Sequence, residues 1–183
     1  GRERDFKENE YKKVVQTVIR KLNELGGVDA SVYLTEIAVR KRELPWKVEH
    51  FVLATYEAFY RFEFLKSQSK SSPRSLKRLT IHVPSRADLT EGEEALQRGI
   101  AIGEGMNLAK DLGNMPANFC TPTYLAETAQ ELSREHANLQ VQVLEREEIE
   151  KIGMASFLAV AKGSQEPPKF IIMQYQGSTA EDP

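Results

Sequence analysis

Two hydrophobic periods alternate along the first half of this chain, and that alternation narrows the fold choices most. In residues 10–25 the apolar positions Tyr11, Val14, Val15, Val18, Ile19, Leu22 and Leu25 recur every three or four residues. Such spacing gathers them on one face of an α-helix, and the Gly26-Gly27 pair supplies its C-terminal stop. ASVYLTE (30–36) then brings β-branched and aromatic residues together as a strand. A second helix is expected over 46–65, led in by Pro45; Phe51, Val52, Phe59 and Phe62 spread over more than one stripe, which implies burial on two sides or a partner surface. After the Ser-rich SQSKSSPRS comes LKRLTIHV (76–83), a further strand. Helix, strand, helix, strand is the rhythm of an α/β fold.

The second half continues the pattern with a long helix at its head. Thr90 and Glu93 fit a capping box, and the helix it opens is expected to run to about residue 112. Gly99, Gly103 and Gly105 lie inside it, each costing about 1 kcal/mol relative to alanine. Gly99 and Gly103 are one turn apart, a spacing that lets another backbone approach. Such a helix suits a connector between two α/β halves, or equally a long helix of the core. Thr121-Pro122 gives an N-cap and a first-turn proline for the next helix, 124–136. A strand over 139–145, a short helix over 145–154, the stretch SFLAVAKGS and a strand over 169–177 complete the order.

Composition sets limits on function. A formal charge of −2 gives no global reason for a nucleic-acid partner, and Cys120 alone excludes an internal disulfide and suits a reducing, cytoplasmic setting. No apolar run reaches the roughly 20 residues that cross a bilayer, so no membrane partner is expected. His50, His82 and His136 have no metal-ligand spacing; the first and last read as helix-surface residues and His82 as part of a strand. Cys120 precedes a helix N-cap without an evident base and reads as a small buried side chain. Glu145, Glu147, Glu148 and Glu150 read as a solvated helix face, with Leu144, Ile149 and Ile152 on the other side. Six basic residues between positions 64 and 87, Lys66, Lys70, Arg74, Lys77, Arg78 and Arg86, have no acidic residue among them. They make a candidate contact for DNA phosphates, against the plainer alternative of a solvated loop, since no aromatic residues are interleaved.

The segment K-D-L-G-N-M-P-A-N-F-C-T-P-T-Y-L-A (110–126) closely resembles the entry to the catalytic domain of leucyl (cytosol) aminopeptidases. The shared positions are Asp111, Leu112, Asn114, Pro116, Asn118, Thr121, Pro122, Leu125 and Ala126. GRERDFKENEYKKVV (1–15) is similar to a stretch late in that family's N-terminal domain, and IGMASFLAVAKGSQEPP (152–168) also matches, through Leu158, Val160, Gly163 and Ser164. The resemblance implies part of a macro-like N-terminal α/β domain over 1–84, a linker helix over 85–113 and the beginning of a zinc-exopeptidase-like catalytic domain over 114–183. It further implies a cytoplasmic homo-hexamer that releases N-terminal residues, leucine preferred, from peptide substrates with two divalent metal ions, manganese, zinc or magnesium. The family's V-G-K-G-x-x-F-D-S-G-G and N-T-D-A-E-G-R motifs do not occur here, so no catalytic, metal-binding or substrate-binding residue is assigned and this segment alone is expected to be inactive. A DNA-binding architectural role, or an inactive module that only assembles, are the alternatives. The asparagines Asn114 and Asn118 are expected to satisfy backbone groups in the turn.

Overall fold

The computed structural model describes residues 6–64 and 75–177, which fall into two compact units, Gly1–Asn114 and Met115–Pro183. Its architecture is mixed α/β. The first unit opens with α1 (Glu8–Glu24), whose Tyr11, Val15 and Ile19 are fully buried at the spacing that an apolar helical stripe requires. β1 (Asp29–Val32) and β2 (Arg78–Ile81) pair in parallel, Asp29 opposite Arg78 through Val32 opposite Ile81. Parallel neighbours need a crossover between them, and α2 (Leu44–Phe59) lies in that connection. Pro45 stands in the first turn of α2, where its missing N–H is not needed.

α2 packs against α1 on one side and against α3 (Leu89–Asn114) on another, which is why its apolar residues cover more than one stripe. Tyr11, Val15, Ile19, Val32, Val39, Phe51, Ala54 and Leu76 form one buried cluster. Along the α2–α3 seam the close approaches advance together: Gly99 lies against Val52 and Glu49, and Gly103 against the Tyr56 ring. The two helices therefore run in the same direction. An added Cβ at Gly99 would stand 2.9 Å from Val52 Cβ and 3.1 Å from the Glu49 carbonyl oxygen, so contact at this distance requires glycine.

Four boundaries differ from those expected. The strand expected over 30–36 ends at Val32, and Leu34–Glu36 is a 3-10 turn. Thr35, fully buried, donates its hydroxyl to the His82 carbonyl, while Lys47 donates its ammonium to the Thr35 carbonyl. These contacts, distant in sequence, fold the chain away from the sheet. The strand over 76–83 shortens to the four residues that find partners on β1, leaving His82 just past its end. The entry to α3 is not capped at Thr90, which lies within the helix; a 3-10 turn, Arg86–Asp88, precedes it, and Asp88 accepts from both the Ser85 N–H (3.0 Å) and the Ser85 hydroxyl (2.9 Å). α2 ends at Phe59, short of residue 65, because Tyr60 adopts extended backbone.

The second unit contains α4 (Pro122–Glu135), β3 (Leu139–Leu144), α5 (Arg146–Lys151), α6 (Ala155–Ala161) and β4 (Phe170–Tyr175). β3 and β4 are antiparallel, with Leu139 opposite Tyr175 and Leu144 opposite Phe170. Alternation puts Leu139, Val141 and Val143 on one face with Ile171 and Met173, and α4 packs against this sheet. SFLAVA, left unassigned from its sequence, is α6, and its Phe157 meets Phe170 edge-to-face at 5.7 Å. Lys169 bridges both oxygens of Glu145 at 2.5 and 2.6 Å, tying the start of β4 to the end of β3.

Candidate functional site

The segment that carries the family-like motif contains the end of one helix, a hydrogen-bonded turn and the start of another helix. α3 continues one residue beyond Gly113 to Asn114, and the carbonyl of Pro116 then accepts from the N–H groups of Phe119 (2.9 Å) and Cys120 (3.0 Å). Thr121 N–H donates to the Phe119 carbonyl at 2.9 Å. Thr121 caps α4: its hydroxyl accepts from Tyr124 N–H at 3.3 Å, and Pro122 occupies the first turn. The turn is thus held by its own backbone. Asn118 is exposed and its side chain makes no hydrogen bond among the described residues, so the expectation of a backbone-satisfying amide fails there. Asn114 departs from it differently, donating its amide to the Tyr60 hydroxyl oxygen at 2.9 Å.

Tyr60 is the residue that sequence reasoning missed. Its hydroxyl donates to Asp111 Oδ1 at 2.9 Å while accepting from Asn114, and the Lys110 ammonium lies 4.9 Å from its ring centre. Asp111 and Asn114, both shared with the family pattern, therefore latch the last turn of α3 to the residue that follows α2. No local spacing announces this partnership, because Tyr60 lies 51 and 54 residues away. On the same seam, one turn after Gly103, Asn107 keeps a buried Oδ1 without a hydrogen-bond partner among the described residues.

The other candidates are dispersed. Lys66, Lys70 and Arg74 lie outside the described residues. Of the other three, Lys77 and Arg78 stand at the start of β2, with Arg78 3.4 Å from Asp29, whereas Arg86 lies past the other end of the strand. His136 is exposed at the end of α4. His50, expected on the helix surface, is half-buried: its ring stacks on Trp46 at 4.1 Å, and its Nδ1 lies 3.0 Å from the Trp46 carbonyl oxygen. Burial, then the nearby Lys12 charge, lowers its pKa against the opposing pull of the Trp46 carbonyl, Glu49 and Glu8. His82 stacks on Tyr33 at 4.2 Å. Cys120 is half-buried. In the acidic run Ile149 is fully buried, but Ile152 is 58% exposed and does not share that inner face.

Among the described residues no three His, Cys, Asp or Glu side chains converge as metal ligands. A cleft of about 310 Å³ between β2 and α3 is lined mainly by apolar side chains, among them Val48, Leu79, Ile81 and Leu96, with Thr80 and Glu93 as its polar members; a single carboxylate there provides no paired acid and base. No described helix is long and apolar enough to cross a membrane.

Comparison with known proteins supplies what these side chains do not. The model of the cytosol aminopeptidase family N-terminal domain matches residues 1–69, and that of the same family's catalytic domain matches residues 107–183. A probable cytosol aminopeptidase of Dechloromonas aromatica is 46% identical over 182 residues, covering 100% of this chain and 36% of that protein. Its counterpart from Thioalkalivibrio sulfidiphilus is 44% identical, covering 97% and 36%. The chain spans about a third of the length of these relatives. Among solved structures, a tomato leucine aminopeptidase mutant superposes with a TM-score of 0.81 at 20% identity, over 96% of this chain and 35% of that one. The bottromycin maturation enzyme BotP in complex with Mn gives 0.75 at 22% identity, over 91% and 33%. At such identities the likeness is one of fold.

Proposed function

Because the chain belongs to the cytosol aminopeptidase family, we propose that it forms part of a metal-dependent aminopeptidase that releases N-terminal residues, leucine preferred, from peptides. The supporting observation is that matches to the family's N-terminal and catalytic domains fall in order along one chain, with 46% identity to a relative over the whole of this chain and 36% of that protein. In this reading residues 1–84 belong to the N-terminal α/β domain, 85–113 are the linker helix and 114–183 begin the catalytic domain. The intact protein is a cytoplasmic homo-hexamer with two divalent metal ions, manganese, zinc or magnesium.

Bound metals of this kind lower the pKa of a coordinated water and polarise the scissile carbonyl. The described residues gather no donor set for them, so no hydrolytic step is assigned to these side chains. Their part is mechanical. The Tyr60–Asp111–Asn114 latch fixes the end of α3, and the Pro116 turn with the Thr121 cap sets where α4 begins. A catalytic group displaced by about 1 Å can lose on the order of a hundredfold in rate, so well-defined helix ends within each unit matter to an enzyme without touching substrate.

Hydrolysis of a leucine anilide by a protein of the relatives' full length that contains this sequence, in the presence of manganese and abolished by a chelator, is the expected result. Absence of leucine release across manganese, zinc and magnesium would overturn the reading.

A further inference from the structure

The start of α1 and the turn that returns to it enclose an open cleft of about 710 Å³, lined by Lys7, Glu8, Asn9, Glu10 and the run Arg40-Lys41-Arg42. The backbone of this run is held in place. Val39 and Arg42 form an isolated antiparallel bridge, with Arg42 N–H donating to the Val39 carbonyl at 3.1 Å, and Arg40 N–H donates to the Phe6 carbonyl at 3.1 Å. Lys41, at the third position of that turn, has φ +58°, a left-handed conformation that glycine would adopt without strain.

The charges inside the cleft are unequally committed. Arg42 is spoken for: its Nη2 lies 2.5 Å from Glu8 Oε1, and its guanidinium stands 5.3 Å from the Trp46 ring centre. Glu10 accepts from the Lys7 N–H at 3.2 Å. Lys7, Arg40 and Lys41 are exposed and have no ion pair among the described residues. The cleft thus sets four cations against two carboxylates, both already engaged, beside the amino-terminal end of a 17-residue helix whose dipole adds positive potential.

We propose that this cleft binds a compact, multiply charged phosphate anion, with Arg40 and Lys41 as its principal contacts. A guanidinium offers paired donors to phosphate oxygens and a lysine ammonium a mobile point charge. The pinned turn means that little backbone freedom must be lost on binding. The proposal does not depend on aminopeptidase activity, so each can fail without the other.

Tripolyphosphate and inorganic phosphate serve as the probes, titrated into the protein by calorimetry at low salt. The expected result is saturable binding with tripolyphosphate the tighter ligand, weakening as salt rises from about 50 to about 200 mM. The double variant R40Q/K41G removes both charges while giving the turn the residue its backbone favours; it should bind at least about tenfold more weakly, some 1.4 kcal/mol, with its melting temperature maintained. K151Q, an exposed lysine of α5, should bind as wild type. Lack of saturation by about 10 mM tripolyphosphate, where any affinity would be weaker than a few kcal/mol, would overturn the proposal. Equal affinity in R40Q/K41G would do so too, as would binding of a short DNA duplex in preference to tripolyphosphate.

Discussion

The two units bury their apolar residues in different ways. In the first, eight buried residues drawn from α1, β1, α2 and the segments beside them form one continuous cluster, and α3 is drawn onto α2 closely enough to exclude any side chain at Gly99. In the second, Ile149 is fully buried and Leu144, Ala126 and Ala129 nearly so, yet β4 leaves Ile172, Met173 and Tyr175 at 39%, 50% and 70% exposure. Small residues on one helix can thus seat the larger side chains of its neighbour, whereas a two-stranded sheet with one covering helix leaves part of its own apolar surface open. Two strands are marginal by themselves for this reason.

The largest test of that contrast is a pair of core truncations. Phe51→Ala, in the continuous cluster, is expected to cost about 3–5 kcal/mol in denaturant unfolding, and Ile149→Ala about 2–4 kcal/mol. A Phe51→Ala cost below that of Ile149→Ala would break the comparison. Next comes a pair within α3. Gly99→Ala should destabilise by about 1–3 kcal/mol, because Val52 and the Glu49 backbone must retreat. Gly105→Ala, where nothing lies within 4 Å of the new methyl, should stabilise by up to about 1 kcal/mol. Thermal melts of the two variants should move in opposite directions; movement in the same direction would mean that the seam is looser than described.

Smaller effects refine the picture. Tyr60→Phe removes the hydroxyl that joins Asp111 to Asn114 and should speed amide exchange in the last turn of α3 while leaving α1 protected. Unchanged exchange in that turn would remove the latch. The smallest effect is electrostatic. His50 has a folded-state pKa below its unfolded value of about 6.5, so its charging is disfavoured in the folded chain. Its contribution is complete above the unfolded value and is lost as pH falls through the folded one. The difference in stability between wild type and His50→Gln should therefore drift against wild type between about pH 7 and pH 5; a difference that stays flat would place His50 in a solvated setting.

Much of this was legible in the sequence where a pattern is local. The stripe of Tyr11, Val15 and Ile19 and the Thr121-Pro122 start of α4 follow from short-range spacing and turn out as read, as does the close backbone approach at Gly99, whereas Gly103 makes room for the Tyr56 ring instead. Ser85 and Asp88 also fit the capping pattern, but Thr90 and Glu93 fit it equally, and only the observed bonds decide between them. What escaped was decided by partners far away along the chain. Thr35 turns out of the sheet because its hydroxyl finds the His82 carbonyl, and Asn114 bonds to Tyr60 rather than to the turn it borders. The resemblance to the aminopeptidases rests on residues 1–15, 110–126 and 152–168; the visible structural work of the central stretch is to end one helix and begin another.

Under the proposed function these 183 residues supply framework without holding the metal ions, and the described residues gather no metal-ligand set. Equilibrium dialysis of the purified chain against manganese, paired with a leucine-anilide assay on the same sample, tests that most directly. The expected result is no stoichiometric metal retained and no leucine released. Retention of one or two manganese ions per chain together with turnover would contradict it.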